Sequence, residues 1–263
     1  MPKEPIRVIE GTARPYEPFW SLRNAAESES GEPEIEFYGF ISEYSWFDDD
    51  ITPKKFKEDL NRIGGGKPVT VRMNSGGGEV FAASMIKSIL VEYPGQVTVL
   101  IEGLAASGAT IVAMGGDRIK MQESAYFMIH DPSVLTWGTI EDLKQTLEML
   151  KTIKDGLIDT YQTRTRLPSE KLAKMLTDET WLTAHEAHDY GFIDEVIATS
   201  SKAPAPSEQM VGITNCLSQY RHVPAALLQA SQPVSINPAA ELEHQQAADR
   251  LRAEVKILAG EKK

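Results

Sequence analysis

Apolar and polar positions alternate first as a strand and then as a helix, and this order repeats along the middle of the chain. Residues 35–41 alternate as a strand, and residues 52–63 carry apolar side chains at helical spacing. Residues 69–73 then predict a second strand and residues 80–93 a second helix. Repeated strand-helix order predicts a parallel sheet covered by helices, which is an α/β fold.

The same alternation continues to about residue 197. Residues 97–102 predict a third strand, and the alanine-rich segment 103–114 predicts a helix buried on all sides. Short strands are predicted at 117–121, 124–129 and 192–197.

Three further helices are predicted in the second half of this region. Residues 139–166 form a long amphipathic pattern, and Thr139 with Asp142 has the spacing of a capping box. Because few globular helices are so long, part of it is expected to project or to pack against another subunit. Shorter helices are predicted at 169–175 and 183–190.

Composition divides the chain into three parts. Residues 1–33 are polar and proline-containing, which predicts an extended N-terminal arm. Residues 34–198 carry the repeating pattern and predict the folded domain. Residues 199–263 predict a linker, rich in Ser, Ala and Pro at 200–207, followed by a tail with a helix at about 239–259. This tail is expected to be mobile or to become ordered on a partner.

Charge and composition exclude several classes of protein. The net charge of −11 argues against a nucleic-acid partner, which needs a basic face to displace counterions. Cys216 is the only cysteine, so no intramolecular disulfide or cysteine-based zinc site can form. The first residues contain no apolar leader, and no apolar run approaches the length of a membrane span. We therefore expect a cytoplasmic protein with no membrane association.

A serine and a histidine are the first candidates for chemistry. Ser107 lies among small residues after an apolar strand, and His130 follows the predicted strand 124–129. A serine hydroxyl becomes a useful nucleophile when a neighbouring base takes its proton, so the two suggest nucleophilic catalysis. Each has a simpler interpretation as well. Ser107 could cap a helix, and His130 could be a hydrogen-bonded core residue.

A histidine base works best when a carboxylate fixes its tautomer and stabilises the imidazolium. The sequence offers Asp131, Asp178 and Glu179. Asp131 adjoins the base and would have difficulty reaching back to its ring. Asp178 and Glu179 lie in a predicted loop before Trp181 and could approach from another element, although either could equally be a solvated surface acid.

The loop Asn74–Gly78 joins a strand to a helix and contains three glycines, which let backbone N–H groups approach a ligand closely. Neither phosphate-binding motif matches, because no G-x-x-x-x-G-K-[ST] or G-x-G-x-x-G segment occurs in the required place. An oxyanion-binding role is therefore the better interpretation.

Four segments, taken in order, resemble the Clp protease proteolytic subunit family. They are 74–78 (NSGGG), 103–109 (GLAASGA), 126–130 (YFMIH) and 180–194, which contains TWLTAHEA and YGFID. The resemblance covers about residues 35–198. It implies a ClpP/crotonase-like fold of stacked βαβ units, a Ser-His-acid peptidase acting on proteins or peptides without cofactor or metal, and assembly into homo-oligomeric rings through the long helix.

The resemblance also assigns roles to individual residues. By position, Ser107 is the nucleophile, His130 the base, and the N–H groups of Gly78 and Gly108 the oxyanion hole. The family's catalytic aspartate falls at Glu179, so Glu179 is implied as the acid, with Asp178 as the alternative. Gly76 also replaces the family's proline in the glycine loop.

The polar arm, the glutamate before Trp181 and the long tail are more similar to the phage and prophage branch of the family, which processes capsid or scaffold proteins. We therefore expect a prohead maturation protease, located in the host cytoplasm. The alternative is a housekeeping Clp subunit that works with an AAA+ ATPase. Other readings are a crotonase-like acyl-CoA enzyme, a catalytically silent scaffold protein, and a membrane-anchored Ser-Lys peptidase related to signal-peptide peptidases. His130 and the lack of an anchor argue against the last.

Overall fold

The computed structural model describes residues 20–23, 28, 31–42, 52–198, 217, 220–225 and 227. The chain divides into two units, residues 1–223 and 224–263, and every element named below belongs to the first. The predicted linker at 200–207 and the predicted tail helix at 239–259 lie outside the described residues.

Strands and helices alternate through the first unit, in agreement with the predicted α/β class. In chain order the elements are β1 (Trp20–Arg23), β2 (Glu34–Ile41), α1 (Pro53–Gly64), β3 (Val69–Gly78), α2 (Val80–Glu92), β4 (Val97–Ala106), α3 (Gly108–Ala113), β5 (Arg118–Gln122), β6 (Tyr126–Ile129), α4 (Ile140–Gln162), α5 (Ser169–Thr177), β7 (Thr180–Thr183), α6 (Ala184–Asp189) and β8 (Glu195–Ile197).

The described strands form one sheet in the order β1-β2-β3-β4-β5-β8, and β6 pairs with both β4 and β7. The pairs from β2 to β8 along this order are parallel, as is the β4/β6 pair. Only β1/β2 and β6/β7 are antiparallel among the described strands. In a parallel pair the carboxyl ends lie at the same edge, so β3, β4 and β6 bring their last residues together.

Two predicted element boundaries are wrong, and both errors lie next to Ser107. The glycine loop 74–78 continues β3, because Gly77 and Gly78 pair with β2 across a register shift. Residues 103–106 continue β4 instead of beginning a helix. Ala105 pairs with Ser75 on one side and Phe127 on the other, so the sheet satisfies the backbone groups that a helix would have used.

Two strands were not predicted. Residues 20–23, within the predicted N-terminal arm, form β1 at the edge of the sheet against β2. Residues 180–183, which follow the predicted loop at Asp178 and Glu179, form β7 against β6. The second of these strands fixes Glu179 directly beside the end of β6, because Thr180 pairs with Ile129.

The long helix α4 is buried at one end only. Thr139 and Asp142 form the predicted capping box at its start. Its first half exposes apolar side chains, including Ile140 at 75 %, whereas Tyr161 near its end is 1 % exposed. The helix therefore joins the core through its last turns and leaves an apolar face uncovered in the single chain. None of the described helices is long and apolar enough to cross a membrane.

Candidate active site

Ser107 occupies the single residue between β4 and α3. Its backbone is in an unusual conformation for a non-glycine residue, with φ 54° and ψ −124°. The Ser107 N–H donates to the carbonyl of Met128 on the neighbouring strand at 2.9 Å. The side chain makes no capping hydrogen bond to α3. Helix capping therefore does not explain this serine, and its hydroxyl is directed elsewhere.

His130 is the partner of that hydroxyl. The Nε2 atom of His130 lies 2.8 Å from Oγ of Ser107, within hydrogen-bond distance. The sheet produces this contact, because β4 and β6 run parallel with Ala106 paired to Met128, and the two side chains follow directly after the two strand ends. The structure thus brings together the two residues that are 23 positions apart in the sequence.

The surroundings of His130 favour its neutral form. Burial lowers the pKa of the imidazole, and the guanidinium of Arg221 lowers it further. The nearby carboxylates of Glu179 and Asp131, together with the Asp131 backbone, act in the opposite direction without reversing the shift. A neutral imidazole is the form that can accept a proton from a serine hydroxyl.

Glu179 lies close enough to His130 for their charges to interact, but its carboxylate is bonded to other groups. Oε2 accepts from the Arg221 N–H at 3.0 Å and Oε1 from the His222 N–H at 2.7 Å. The indole N–H of Trp181 donates to Oε1 at 3.4 Å. Burial acts to raise the pKa of Glu179, but these donors and His130 together hold that pKa below its ordinary value. Glu179 is therefore a carboxylate kept ionised beside the histidine.

The other two candidate acids pair with lysines. Asp178 is exposed and pairs with Lys174, one turn back on α5. Asp131 pairs with Lys154 at 2.7 Å and accepts from the Thr177 hydroxyl at 3.1 Å. Of the three carboxylates, Glu179 is the one whose bonds remain within the group of residues around His130.

The glycines place two stretches of backbone against each other beside Ser107. A Cβ atom on Gly108 would lie 3.1 Å from the carbonyl oxygen of Gly78 and 3.2 Å from its nitrogen. A Cβ atom on Gly77 would lie 2.5 Å from the carbonyl oxygen of Ala106. The end of β3 therefore packs directly on the turn at Ser107, at a distance that only glycine allows.

A cavity of about 850 Å³ opens at this group of residues. Ser107, His130 and Glu179 line it together with Gly78 and Gly108. Much of its remaining wall is apolar and comes from α4, through Met149, Leu150, Ile153 and Leu157. The site is thus a concave pocket that combines an apolar wall with convergent polar groups, as substrate sites usually do.

The described histidines and acids do not form a metal site of three or more ligands. His185 is exposed on α6 and has Glu123 at 3.4 Å, away from Ser107. Within the described ranges, no three His, Cys, Asp or Glu side chains are grouped so that they could hold a metal ion.

The sequence analysis missed three residues at the site, Tyr220, Arg221 and His222. They come from the predicted tail, yet the Tyr220 hydroxyl donates to the Gly76 carbonyl at 2.6 Å and its ring lies 5.4 Å from that of His130. The one available signal was an aromatic and two basic residues together in an otherwise Gln- and Ala-rich segment.

Comparison with known proteins agrees with this fold. The ATP-dependent Clp protease proteolytic subunit 2 of Thermobifida fusca is 32 % identical over 136 residues, which are 51 % of this chain and 67 % of that protein. The proteolytic subunit 3 of Rhodococcus jostii is 31 % identical over 56 % of this chain and 74 % of its own length. A solved mutant of ClpP1 from Listeria monocytogenes superposes with a TM-score of 0.51 and 23 % identity, covering 63 % of this chain and 91 % of that one.

The family resemblance extends over the part of the chain that carries the site. The sequence model of the Clp protease family matches residues 59–200, which include Ser107, His130 and Glu179. Together with the relatives above 30 % identity, this match shows that the chain belongs to the Clp protease family.

Proposed function

We propose that this chain is a serine endopeptidase in which Ser107 is the nucleophile, His130 the general base and Glu179 the acid. The observation that carries the proposal is the 2.8 Å contact between Oγ of Ser107 and Nε2 of His130. The only non-glycine residues with positive φ among those described are Ser107 and Glu179. Unfavourable backbone conformations persist where the surrounding structure enforces them, and they cluster at functional sites.

The proposed reaction transfers an acyl group in two steps. Oγ of Ser107 attacks the carbonyl carbon of a peptide bond while Nε2 of His130 takes the hydroxyl proton. His130 then gives this proton to the leaving amine, and the C–N bond breaks to leave an ester on Ser107. Water, deprotonated by His130, attacks the ester; the C–O bond to Ser107 breaks, His130 returns the proton to Oγ, and the carboxylate product leaves. Glu179 stabilises the imidazolium that forms in each step.

The charge that develops on the substrate oxygen requires hydrogen-bond donors. We assign this role to the backbone N–H groups of Gly78 and Gly108, whose backbones are adjacent beside Ser107. Gly108 is the first residue of α3 and directly follows the nucleophile, the position from which a backbone N–H can reach the oxygen of the intermediate.

Protein or peptide chains are the proposed substrates. The exposed apolar face of α4 is the proposed contact between subunits in an oligomeric ring. Prohead maturation on capsid or scaffold proteins stays a prediction from the sequence. The named relatives are ATP-dependent Clp proteolytic subunits, which supports the alternative of an AAA+ ATPase partner. Degradation of a folded substrate only when an AAA+ unfoldase and ATP are present would favour the alternative.

The other readings account for less of the site. A crotonase-like acyl-CoA enzyme or a silent scaffold has no need of a serine hydroxyl bonded to a buried histidine. A Ser-Lys dyad would need a lysine at Ser107. Lys154 pairs with Asp131 and donates to Thr177.

Labelling with a fluorophosphonate tests the proposal, because this probe reacts only with activated serines. The full chain should be labelled on one residue, and Ser107→Ala should abolish the label. Ser133→Ala is the matched control, since Ser133 lies on the wall of the same cavity but has no proposed role. Labelling that survives in Ser107→Ala, or that never occurs in the assembled protein, would contradict the peptidase proposal.

The assignment of the acid gives a second prediction. Glu179→Gln should lower kcat/KM by about a hundredfold or more, because the amide cannot stabilise the imidazolium. Asp178→Asn should change it by less than about twofold, since an exposed ion pair with Lys174 contributes little. Peptide hydrolysis by the two variants at one pH measures the difference. Small and equal losses would return the assignment to Asp131.

A further inference from the structure

Residues 220–222, which we call the strap, lie against the carboxylate of Glu179. At one end, the Tyr220 hydroxyl donates to the Gly76 carbonyl at 2.6 Å. At the other end, Nδ1 of His222 lies 3.1 Å from the carbonyl oxygen of Asp178. The strap therefore spans from the end of β3 to the turn that carries Glu179, and all three of its residues line the cavity.

The strap occupies the carboxylate that the proposed mechanism needs. Both oxygens of Glu179 accept backbone N–H groups of the strap, at 3.0 Å from Arg221 and 2.7 Å from His222. Hydrogen bonds to a charged acceptor are among the stronger ones in proteins. His130, which needs this carboxylate when it becomes protonated, makes no hydrogen bond with it in the described structure. In this state the hydrogen bonds of the acid go to the strap and to Trp181, and its effect on the base is through charge.

The strap also affects His130 directly. The ring of Tyr220 meets the imidazole nearly edge-on, with centroids 5.4 Å apart, and it contacts Trp181 at 5.9 Å on another side. Burial is the main cause of the low pKa of His130, and the Arg221 cation adds to it by disfavouring the imidazolium. A cation near the base opposes the charge that it must carry during the reaction.

We infer that the strap is an autoinhibitory element, which keeps both oxygens of Glu179 hydrogen-bonded to its own backbone, instead of to His130, until it is displaced from the site. This inference rests on the proposed function, since it assigns regulation to the same catalytic group. In the closed state Ser107 and His130 are already in contact, but both oxygens of the acid are hydrogen-bonded to the strap and act on the imidazole through charge alone. Displacement of the strap removes its two hydrogen bonds to Glu179, leaves the one from Trp181, and removes the Arg221 cation. The active fraction is then set by the equilibrium between closed and open strap.

Substitutions in the strap test this inference through the rate of fluorophosphonate labelling at Ser107 in the full chain. Arg221→Pro removes the Arg221 side chain and also the backbone N–H group that donates a hydrogen bond to Glu179. Arg221→Ala removes the side chain alone. We expect Arg221→Pro and Tyr220→Ala to react about tenfold faster than wild type, because each loses part of a bonded strap. Arg221→Ala should lie between them and wild type. Ala225→Ser, at an exposed position beyond the strap, is the control and should match wild type.

A second readout does not depend on catalysis. Amide hydrogen exchange of a fragment containing residues 220–222 should show protection in wild type and lose it in Glu179→Gln.

A synthetic peptide of residues 218–224 should slow the labelling of Arg221→Pro, and a scrambled peptide should not. Circular dichroism of each variant shows whether it is folded.

The possible results separate the two proposals. Strap variants that are folded but react no faster than wild type, or unchanged exchange protection in Glu179→Gln, would overturn the autoinhibitory strap alone. Absence of labelling in wild type and in every strap variant would overturn the proposed function, and the inference with it.

Discussion

His130→Ala is expected to lower kcat/KM for peptide hydrolysis by about 10⁴-fold or more, the loss seen when a member of a Ser-His-acid triad is removed. The reason is the 2.8 Å contact with Ser107, since no other described side chain that can accept a proton is bonded to that hydroxyl. The folded state should survive, because alanine leaves a space that opens onto the cavity. Steady-state kinetics with a fluorogenic peptide, together with thermal unfolding, measures both effects.

The pH dependence adds a check on the same residue. His130 must be neutral to act as a base, and burial holds its pKa below the ordinary value of about 6.5. The wild-type kcat/KM should therefore stay high at neutral pH and fall as the pH drops through that lowered pKa. The residual activity of His130→Ala should not show this fall in kcat/KM at low pH. His185→Ala, on an exposed position of α6, is the matched control and should keep both rate and profile. Equal losses in the two variants would contradict the role of His130.

Local pattern was sufficient for most of the fold, because most helices have clear ends. Thr139 and Asp142 form the capping box that their spacing indicates, and Thr52 accepts the N–H of Lys55 at the start of α1. The pattern failed where strands continue through glycine and alanine. Segment 103–106 is rich in small residues that suit a helix, and only its pairing with β3 and β6 decides that it is a strand. Such pairing depends on residues distant in sequence and is not visible in local periodicity.

The residues of the proposed site likewise divide into those that local sequence pattern indicates and those that it does not. Ser107 and His130 follow predicted strands, so the sequence could place both at one edge of a parallel sheet. Glu179 is one of three candidate acids in the sequence, because no local pattern predicts β7, which fixes its position. Tyr220 contacts Gly76 across 144 residues, and no local pattern marks that contact. Short-range signals therefore indicated the proposed nucleophile and base, while long-range packing determines the positions of the proposed acid and the strap.

Gly77→Ala is expected to lower the free energy of unfolding by about 3 kcal/mol or more, and to abolish labelling of Ser107 with it. Gly77 has φ 95°, a region that alanine rarely adopts. Its Cβ would lie 2.5 Å from the carbonyl oxygen of Ala106, 2.8 Å from the nitrogen of Gly108 and 2.8 Å from Cβ of Ser107. All three atoms belong to the backbone or lie next to it, so no side-chain rotation can relieve the overlap.

A matched variant separates this overlap from the cost of positive φ. Gly65, at the end of α1, has φ 55°, and a Cβ there would meet nothing within 4 Å. Gly65→Ala should therefore lower the free energy of unfolding only by the cost of placing alanine at positive φ, about 1–2 kcal/mol. Labelling of Ser107 should be unchanged. Urea unfolding of both variants gives the comparison. If Gly77→Ala costs no more than Gly65→Ala, the close packing of β3 on the turn at Ser107 is not what holds the nucleophile. If Gly77→Ala lowers the free energy of unfolding by more than Gly65→Ala does, the glycine segment supports the turn at Ser107 structurally, in addition to being the proposed source of an oxyanion donor.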